Sequence, residues 1–233
     1  MKTFKLNLML VAAVCSAALV PAAFGQTREK PKILNPEGTH YGMTYGEWSA
    51  AWWVWAFSLP VPDSPFFDDG VCTNGANGQS GPVWFLCGVF NESGTTTREC
   101  TVPAGKALFF PIINVECSDV ECLPWLCCTW CGMTEPEQRA CAVAQNEPAS
   151  DLECEIDDVV VRNFARYRVE SPQFSVTLPE NNLFGVEEGA VLTGVADGYY
   201  VMVAPLPPGQ HTIRFRGCYP GFCLDVTYHL TVE

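Results

Sequence analysis

Glu47 is the one carboxylate in the stretch Thr44-Tyr45-Gly46-Glu47-Trp48-Ser49-Ala50-Ala51-Trp52-Trp53-Val54-Trp55, which holds four of the chain's seven tryptophans. A carboxyl group among indoles has the setting of a general acid. Desolvation raises its pKa, and a second carboxylate completes the pair a glycoside hydrolase needs. Glu116, after an apolar run, and Asp68 or Asp69, in a turn-rich segment, are the candidate partners. The same spacing has a simpler meaning. Thr44-x-x-Glu47 is a capping box, in which Glu47 reaches back to the Thr44 N–H, with Met43 and Trp48 as the hydrophobic staple. Spacing alone predicts the cap, so Thr44 and Glu47 are read first as a helix start and second as catalytic groups.

The tryptophans divide in the same way. On a helix advancing about 100° per residue, Trp48, Trp52 and Trp55 fall within about 60° of one another, with Trp53 and Phe57 on the far side. An exposed row of this kind would stack against sugar rings. A helix apolar on nearly every side is usually buried, and aromatic side chains dominate cores as much as sites. Core packing is therefore the favoured reading, with Trp48, Trp52 and Trp55 as the candidate ligand-binding face.

A third group is Cys117-x4-Cys122-x4-Cys127-Cys128-x2-Cys131. Its C-x-x-C invites a redox or metal reading. Thioredoxin-like chemistry wants that motif at a helix start within a βαβ unit, and zinc sites show two cleanly spaced pairs. Neither context is present, so structural disulfides are favoured. Cys218 and Cys223 flank a Pro-Gly turn between two strand-like runs, and a bridge there would close the turn. His211 and His229 lie on neighbouring predicted strands but make a weak metal signal, and His40 stands apart. Ser80 precedes a strand where a nucleophile elbow would follow one. Walker, dinucleotide and H-E-x-x-H motifs are missing. No catalytic set, cofactor or metal is expected.

The elements that must hold these residues belong to an exported chain. Lys2 and Lys5, an apolar run over 6–20 and Ala23-Phe24-Gly25 read as a cleavable secretory signal over residues 1–25. Its removal takes away two lysines and no acid, moving the net charge from −13 to −15. So acidic a chain has no footprint for nucleic acid or anionic lipid, and Arg162, Arg166 and Arg168 read as a solvated strand face. No later segment is long enough to span a bilayer. Of the 13 cysteines, Cys15 leaves with the signal, and an even number in an oxidising compartment implies a disulfide framework.

Residues 26–43 read as an extended lead-in, followed by one disulfide-reinforced domain over 44–233. A helix is predicted from Tyr45 to Ser58, ended by Pro60, Pro62 and Pro65. The turn-rich segment 63–82 is a long loop pinned by Cys72. Residues 83–89 and 107–113 are continuous apolar runs that suit strands buried on both faces. A second capping box, Thr134-x-x-Glu137, opens a helix over 134–146. Strands are predicted over 159–169, 174–178, 199–204, 211–216 and 224–232. Their spacing and turns predict a mainly β fold: an antiparallel β-sandwich with an N-terminal Trp-rich helix and a second helix.

The strings YGEWSAAWWVWAFSLP, GQSGPVWFLCGVF, TVPAGKALFFPIINVECS and DGYYVMVAPLPPGQHTIRF resemble a family of exported bacterial proteins of unassigned function. The likeness spans most of the chain after residue 25. It implies a bacterial source and one integrated domain, and it carries no activity. The cysteine crowding between Cys117 and Cys131 departs from that pattern. The expected function is a non-catalytic binding or structural module in the periplasm or outside the cell, with a glycan or envelope component as ligand. The alternatives are a hydrolase using Glu47 with Glu116 or Asp68, and metal or redox handling by the Cys117–Cys131 cluster.

Overall fold

The structure is a computed structural model that describes residues 29–68, 70–90, 93–122 and 131–233. The expected signal peptide, Asp69, Cys127 and Cys128 lie outside the described residues.

Helix α1 (Tyr45–Phe57) is followed by β1 (Val83–Phe85), β2 (Gly94–Val102), β3 (Ala107–Ser118) and helix α2 (Glu135–Asn146). Then come β4 (Ser150–Ile156), β5 (Val159–Val160), β6 (Arg168–Glu170), β7 (Phe174–Thr177), β8 (Val191–Val203), β9 (Gly209–Tyr219) and β10 (Phe222–Val232). The strands form two sheets packed face to face. One runs β1-β3-β8-β6, with β7 also on β8; the other runs β2-β10-β9-β4-β5. Most pairs are antiparallel. Each sheet also holds one parallel pair, β1 with β3 and β2 with β10. The chain crosses from β1 to the other sheet for β2 and back for β3, which brings β3 in beside β1 in the same direction. The sandwich is therefore mixed where an antiparallel one was expected.

Three layers result: α1, the first sheet and the second sheet. Tyr45, Trp52, Phe109 and Tyr200 belong to the core between helix and first sheet. Phe110, Ile112, Phe215 and Tyr228 belong to the core between the sheets. The first sheet is covered on both faces, so β3 is buried at almost every position and reads as an unbroken apolar run. Strands β9 and β10 turn one face to solvent and alternate.

Where expectation and structure differ, the reason is local. Residues 159–169 are not one strand: Asn163 adopts a left-handed conformation at φ 62°, and a 3-10 turn over Phe164–Tyr167 separates β5 from β6. Strand β2 was not expected because threonines supply its exposed face. The lead-in joins the sandwich through Leu34 N–H, which donates to Met202 O at 2.9 Å. Arg168 does not lie on a solvated face. It pairs with the buried Asp197 at 2.9 Å and with Glu147 at 2.7 Å, tying the end of α2 to β8.

Four disulfides occur among the described residues: Cys72–Cys100, Cys117–Cys141, Cys122–Cys131 and Cys218–Cys223. Bridges in this number belong to a chain that matures in an oxidising, extracytoplasmic environment. Cys87 and Cys154 are buried free thiols. No described helix is long and apolar enough to cross a membrane.

Helix α1 lies so close to β6 that a Cβ on Gly46 would sit 2.6 Å from the Glu170 carbonyl oxygen. Alanine normally improves a helix over glycine by about 1 kcal/mol. Here the backbone clash should reverse the sign, and Gly46→Ala should destabilise the fold by about 1–3 kcal/mol, as overpacking does. A urea unfolding midpoint at or above the parent's would refute the close packing.

Candidate functional site

The start of α1 is closed on itself. Glu47 Oε2 accepts from the Thr44 N–H and the Thr44 hydroxyl, both at 2.8 Å, and the Glu47 N–H donates back to Thr44 Oγ1 at 3.3 Å. These hydrogen bonds, the backbone one first, hold the Glu47 carboxyl below its ordinary range. A catalytic acid needs the opposite shift. Nor does Glu47 meet its proposed partners, for Glu116 and Asp68 line two different cavities and Glu47 lines neither. The hydrolase pairing of Glu47 with Glu116 or Asp68 is therefore corrected.

The candidate face of Trp48, Trp52 and Trp55 is turned into the protein, with Trp55 at the border of a second cavity that Asp68 also lines. Trp48, Trp52 and Trp55 are buried, and each indole N–H donates to a main-chain carbonyl: His40 O at 2.8 Å, Leu86 O at 2.9 Å and Asn77 O at 2.8 Å. A side chain held in this way is not a platform for sugar rings. Trp53, on the opposite side of the helix, behaves differently. Its Nε1 lies near the Tyr200 hydroxyl and influences that group's acidity, yet closes no hydrogen bond. Its ring borders a large cavity.

That cavity has a volume of about 700 Å³. Its floor is the β3 segment Ile113–Glu116, and its walls are Trp53 and Phe184 on the helix side and Tyr219 and Phe222 on the second-sheet side. Two carboxyl groups share it. Glu116 projects from β3, is 7% exposed, and has no hydrogen-bond partner at Oε2 among the described residues. Glu121 lies in the 3-10 turn Val120–Cys122 that follows the strand. The Ser118 hydroxyl donates to Glu121 Oε2 at 3.4 Å and also neighbours Glu116, so the two acids stand on one wall around one serine.

Burial raises the Glu116 carboxyl well above its ordinary value near 4.5, and the adjoining Glu121 charge raises it further. Burial pushes Glu121 up to about 7 against its bonds to Ser118. No basic side chain lines this cavity among the described residues. Buried carboxyls without a cation are protonated or costly. The cysteine bridges brace this region: Cys117–Cys141 fastens the end of β3 to α2, and Cys122–Cys131 closes the turn that carries Glu121.

The other candidates lie elsewhere. Cys117, Cys122 and Cys131 are in disulfides, so the C-x-x-C thiols do not pair with each other, and no group of potential metal ligands occurs among the described residues. The redox and metal reading of that cluster loses three of its five cysteines. Cys218 and Cys223 are joined across the β9–β10 turn. His211 is buried against Asp157 and Pro207 O, while His229 faces solvent, so the two do not meet. His40 bonds Asn35 O in the lead-in.

No family model matches the chain, and no curated protein does. Among solved structures, the chain is similar to a cysteine protease inhibitor from Entamoeba histolytica at 11% identity and a TM-score of 0.23, covering 64% of this chain and 96% of that one. The likeness is too slight to bear on fold or function. What the cavity can do must come from its own chemistry.

Glu121 escaped the sequence reading, although its position five residues after Glu116, beyond an apolar strand, was a usable signal. Trp53 was assigned to the far side of the helix, and that side borders the cavity.

With their pKa values raised, these acids keep a proton in the folded chain that the unfolded chain gives up. The contribution of each is complete below about pH 4.5; that of Glu121 is lost as pH rises through about 7, and that of Glu116 falls away as pH climbs from 4.5 toward its own raised value, because the unfolded state then binds fewer protons than the native one. Glu116→Gln, which removes the titration and keeps the shape, should be more stable than the parent at about pH 8 and no more stable at about pH 4. Urea unfolding at both pH values checks this; a variant weaker at the higher pH would contradict the assigned burial.

Proposed function

We propose that this protein is an exported, non-catalytic binding module whose ligand occupies the cavity between Trp53, Glu116 and Phe222. The observation that carries the reading is Glu116: a nearly buried carboxyl whose Oε2 has no partner among the described residues, at the floor of a cavity where aromatic and aliphatic walls meet Asn114, Glu121 and Gln145. Large, mainly apolar cavities with a few convergent polar groups are the usual form of a binding site. An orphaned acceptor there is a cost that a ligand donor would remove.

Hydrolysis fits the same groups less well. A glycosidase places its carboxyls on either side of the scissile bond, one protonated and one ionised. Glu116 and Glu121 share a wall and a serine, and both are raised. Export rests on the signal-like residues 1–25 together with the disulfides, and the resemblance to exported bacterial proteins agrees with it. A glycan or envelope component remains an admissible ligand, but its contacts would be Trp53 and Phe222 in place of Trp48, Trp52 and Trp55.

Calorimetric titration tests the location. Three probes cover the chemistry: the neutral apolar dye N-phenyl-1-naphthylamine, a hexamer of N-acetylglucosamine, and an end-blocked hexapeptide of alternating valine and lysine. At least one should saturate, and Trp53→Phe or Phe222→Ala should weaken it tenfold or more, whereas Trp52→Phe should leave it within about twofold, a factor of ten being about 1.4 kcal/mol. Saturation by none, or binding indifferent to Trp53 and Phe222, would overturn the reading.

A further inference from the structure

The floor of the cavity is an open sheet edge. Strand β3 is paired along one side by β8 from Leu108 opposite Val203 to Ser118 opposite Gly194, with a bulge at Ile112 between Pro111 and Ile113 and a regular register from Ile113 onward. Along its other side β1 covers only Ala107–Phe109, and the Leu86 N–H adds one bond to Phe109 O at 3.1 Å. Continuing the parallel ladder would require an N–H at residue 111. That residue is proline, which has none, so the ladder stops and the Leu86 carbonyl accepts from Trp52 instead. The edge is next occupied at Ser118, whose carbonyl accepts from the Gly132 N–H at 3.2 Å.

Between those two closures the main chain faces the cavity. The Ala196 N–H and C=O are engaged with Ser171, on the side of β8 away from β3. Glu116 stands opposite Ala196, so antiparallel geometry turns the Glu116 N–H and C=O to the open edge. Asn114, two residues back and opposite Gly198, is turned the same way. No described residue bonds these groups, although buried main-chain groups are almost always paired, at least with water.

Side chains on the two faces of this edge differ. Asn114 and Glu116 point toward the helix side with Trp53, while Ile113 and Val115 point toward Tyr219 and Phe222. The first face carries acid and no cation among the described residues; the second is apolar. We propose that an extended peptide bearing a lysine or arginine adds as a strand to the edge of β3 between Pro111 and Glu116, with its basic side chain reaching Glu116 and Glu121. The occupant is identified by what is missing: main-chain donors and acceptors in strand register, a cation on one face and an apolar residue on the next. The open stretch of about six residues at about 3.3 Å each suits a short segment. Strand addition draws affinity from main-chain bonds and selectivity from alternate side chains.

This inference rests on the cavity being the binding site, and the experiment separates the two. The probe is the valine–lysine hexapeptide, with two N-methylated forms, one blocking the amides on each edge, and a form with norleucine for lysine. The expected result is saturable binding that one methylation pattern abolishes and the complementary pattern spares. Replacing lysine by norleucine, or Glu116→Gln in the protein, should each weaken binding tenfold or more, and the two losses should not add. Equal binding of both methylated forms would overturn strand addition, and full affinity of the norleucine form would overturn the cation. If the dye or the glycan saturates in a Trp53-dependent way while the peptide does not bind, the peptide inference falls and the cavity reading stands. If no probe saturates, both fall.

Discussion

The fold depends on finding acceptors for the indole N–H groups of a helix that is buried except along the stripe of Glu47, Ala51 and Val54. An unpaired N–H in such a place costs roughly 1–3 kcal/mol, so Trp48, Trp52 and Trp55 each impose a demand on the chain that passes them, while the Trp53 N–H stays without an acceptor among the described residues. His40 in the lead-in, Leu86 after β1 and Asn77 in the long loop each supply a carbonyl. These bonds fasten three irregular segments around one helix. Segments of that kind have few ladder bonds of their own, and their course is set by the tryptophans they serve.

The bond from Trp52 to Leu86 has a second consequence. Pro111 offers no N–H to the Leu86 carbonyl, and Trp52 does. The first sheet therefore ends its β1 pairing early, and β3 runs on with no described residue paired to that side until Ser118. Exposed strand edges are normally short, charged or covered, because they recruit other strands. This one lies recessed between the helix and the β9–β10 hairpin, with Glu116 and Glu121 beside it, which blunts indiscriminate pairing and favours a partner that carries charge of the right sign. Helix packing, ladder termination and the acid pair are thus parts of one arrangement.

Much of this was legible in the residues. The capping box at Thr44 and Glu47, the burial of an all-round apolar helix, the two-faced burial of β3 and the outward alternation of β10 follow from spacing and period. Three features did not. Strands β2 and β4 escaped because their exposed positions are polar, threonines in the first and Asp151, Glu153 and Glu155 in the second. The break at Asn163 depends on a left-handed backbone that no periodicity announces. The open edge could not be read because it is a relation between Pro111 and Leu86, 25 residues earlier and just past β1, and a missing N–H has meaning only once the register is known. Glu116 was named for the wrong partner, since the sequence places Glu47 among indoles but cannot say that Thr44 already holds it.

The open edge is also the most exposed part of the account. Amide hydrogen exchange, resolved residue by residue in the free protein, reads it directly. Val115 and Cys117 face β8 and should be strongly protected, whereas Asn114 and Glu116 face the cavity and should exchange markedly faster, so that protection alternates along the strand. Uniform protection from Asn114 to Cys117 would mean that the edge is already paired, and the binding site described at Glu116 would not exist.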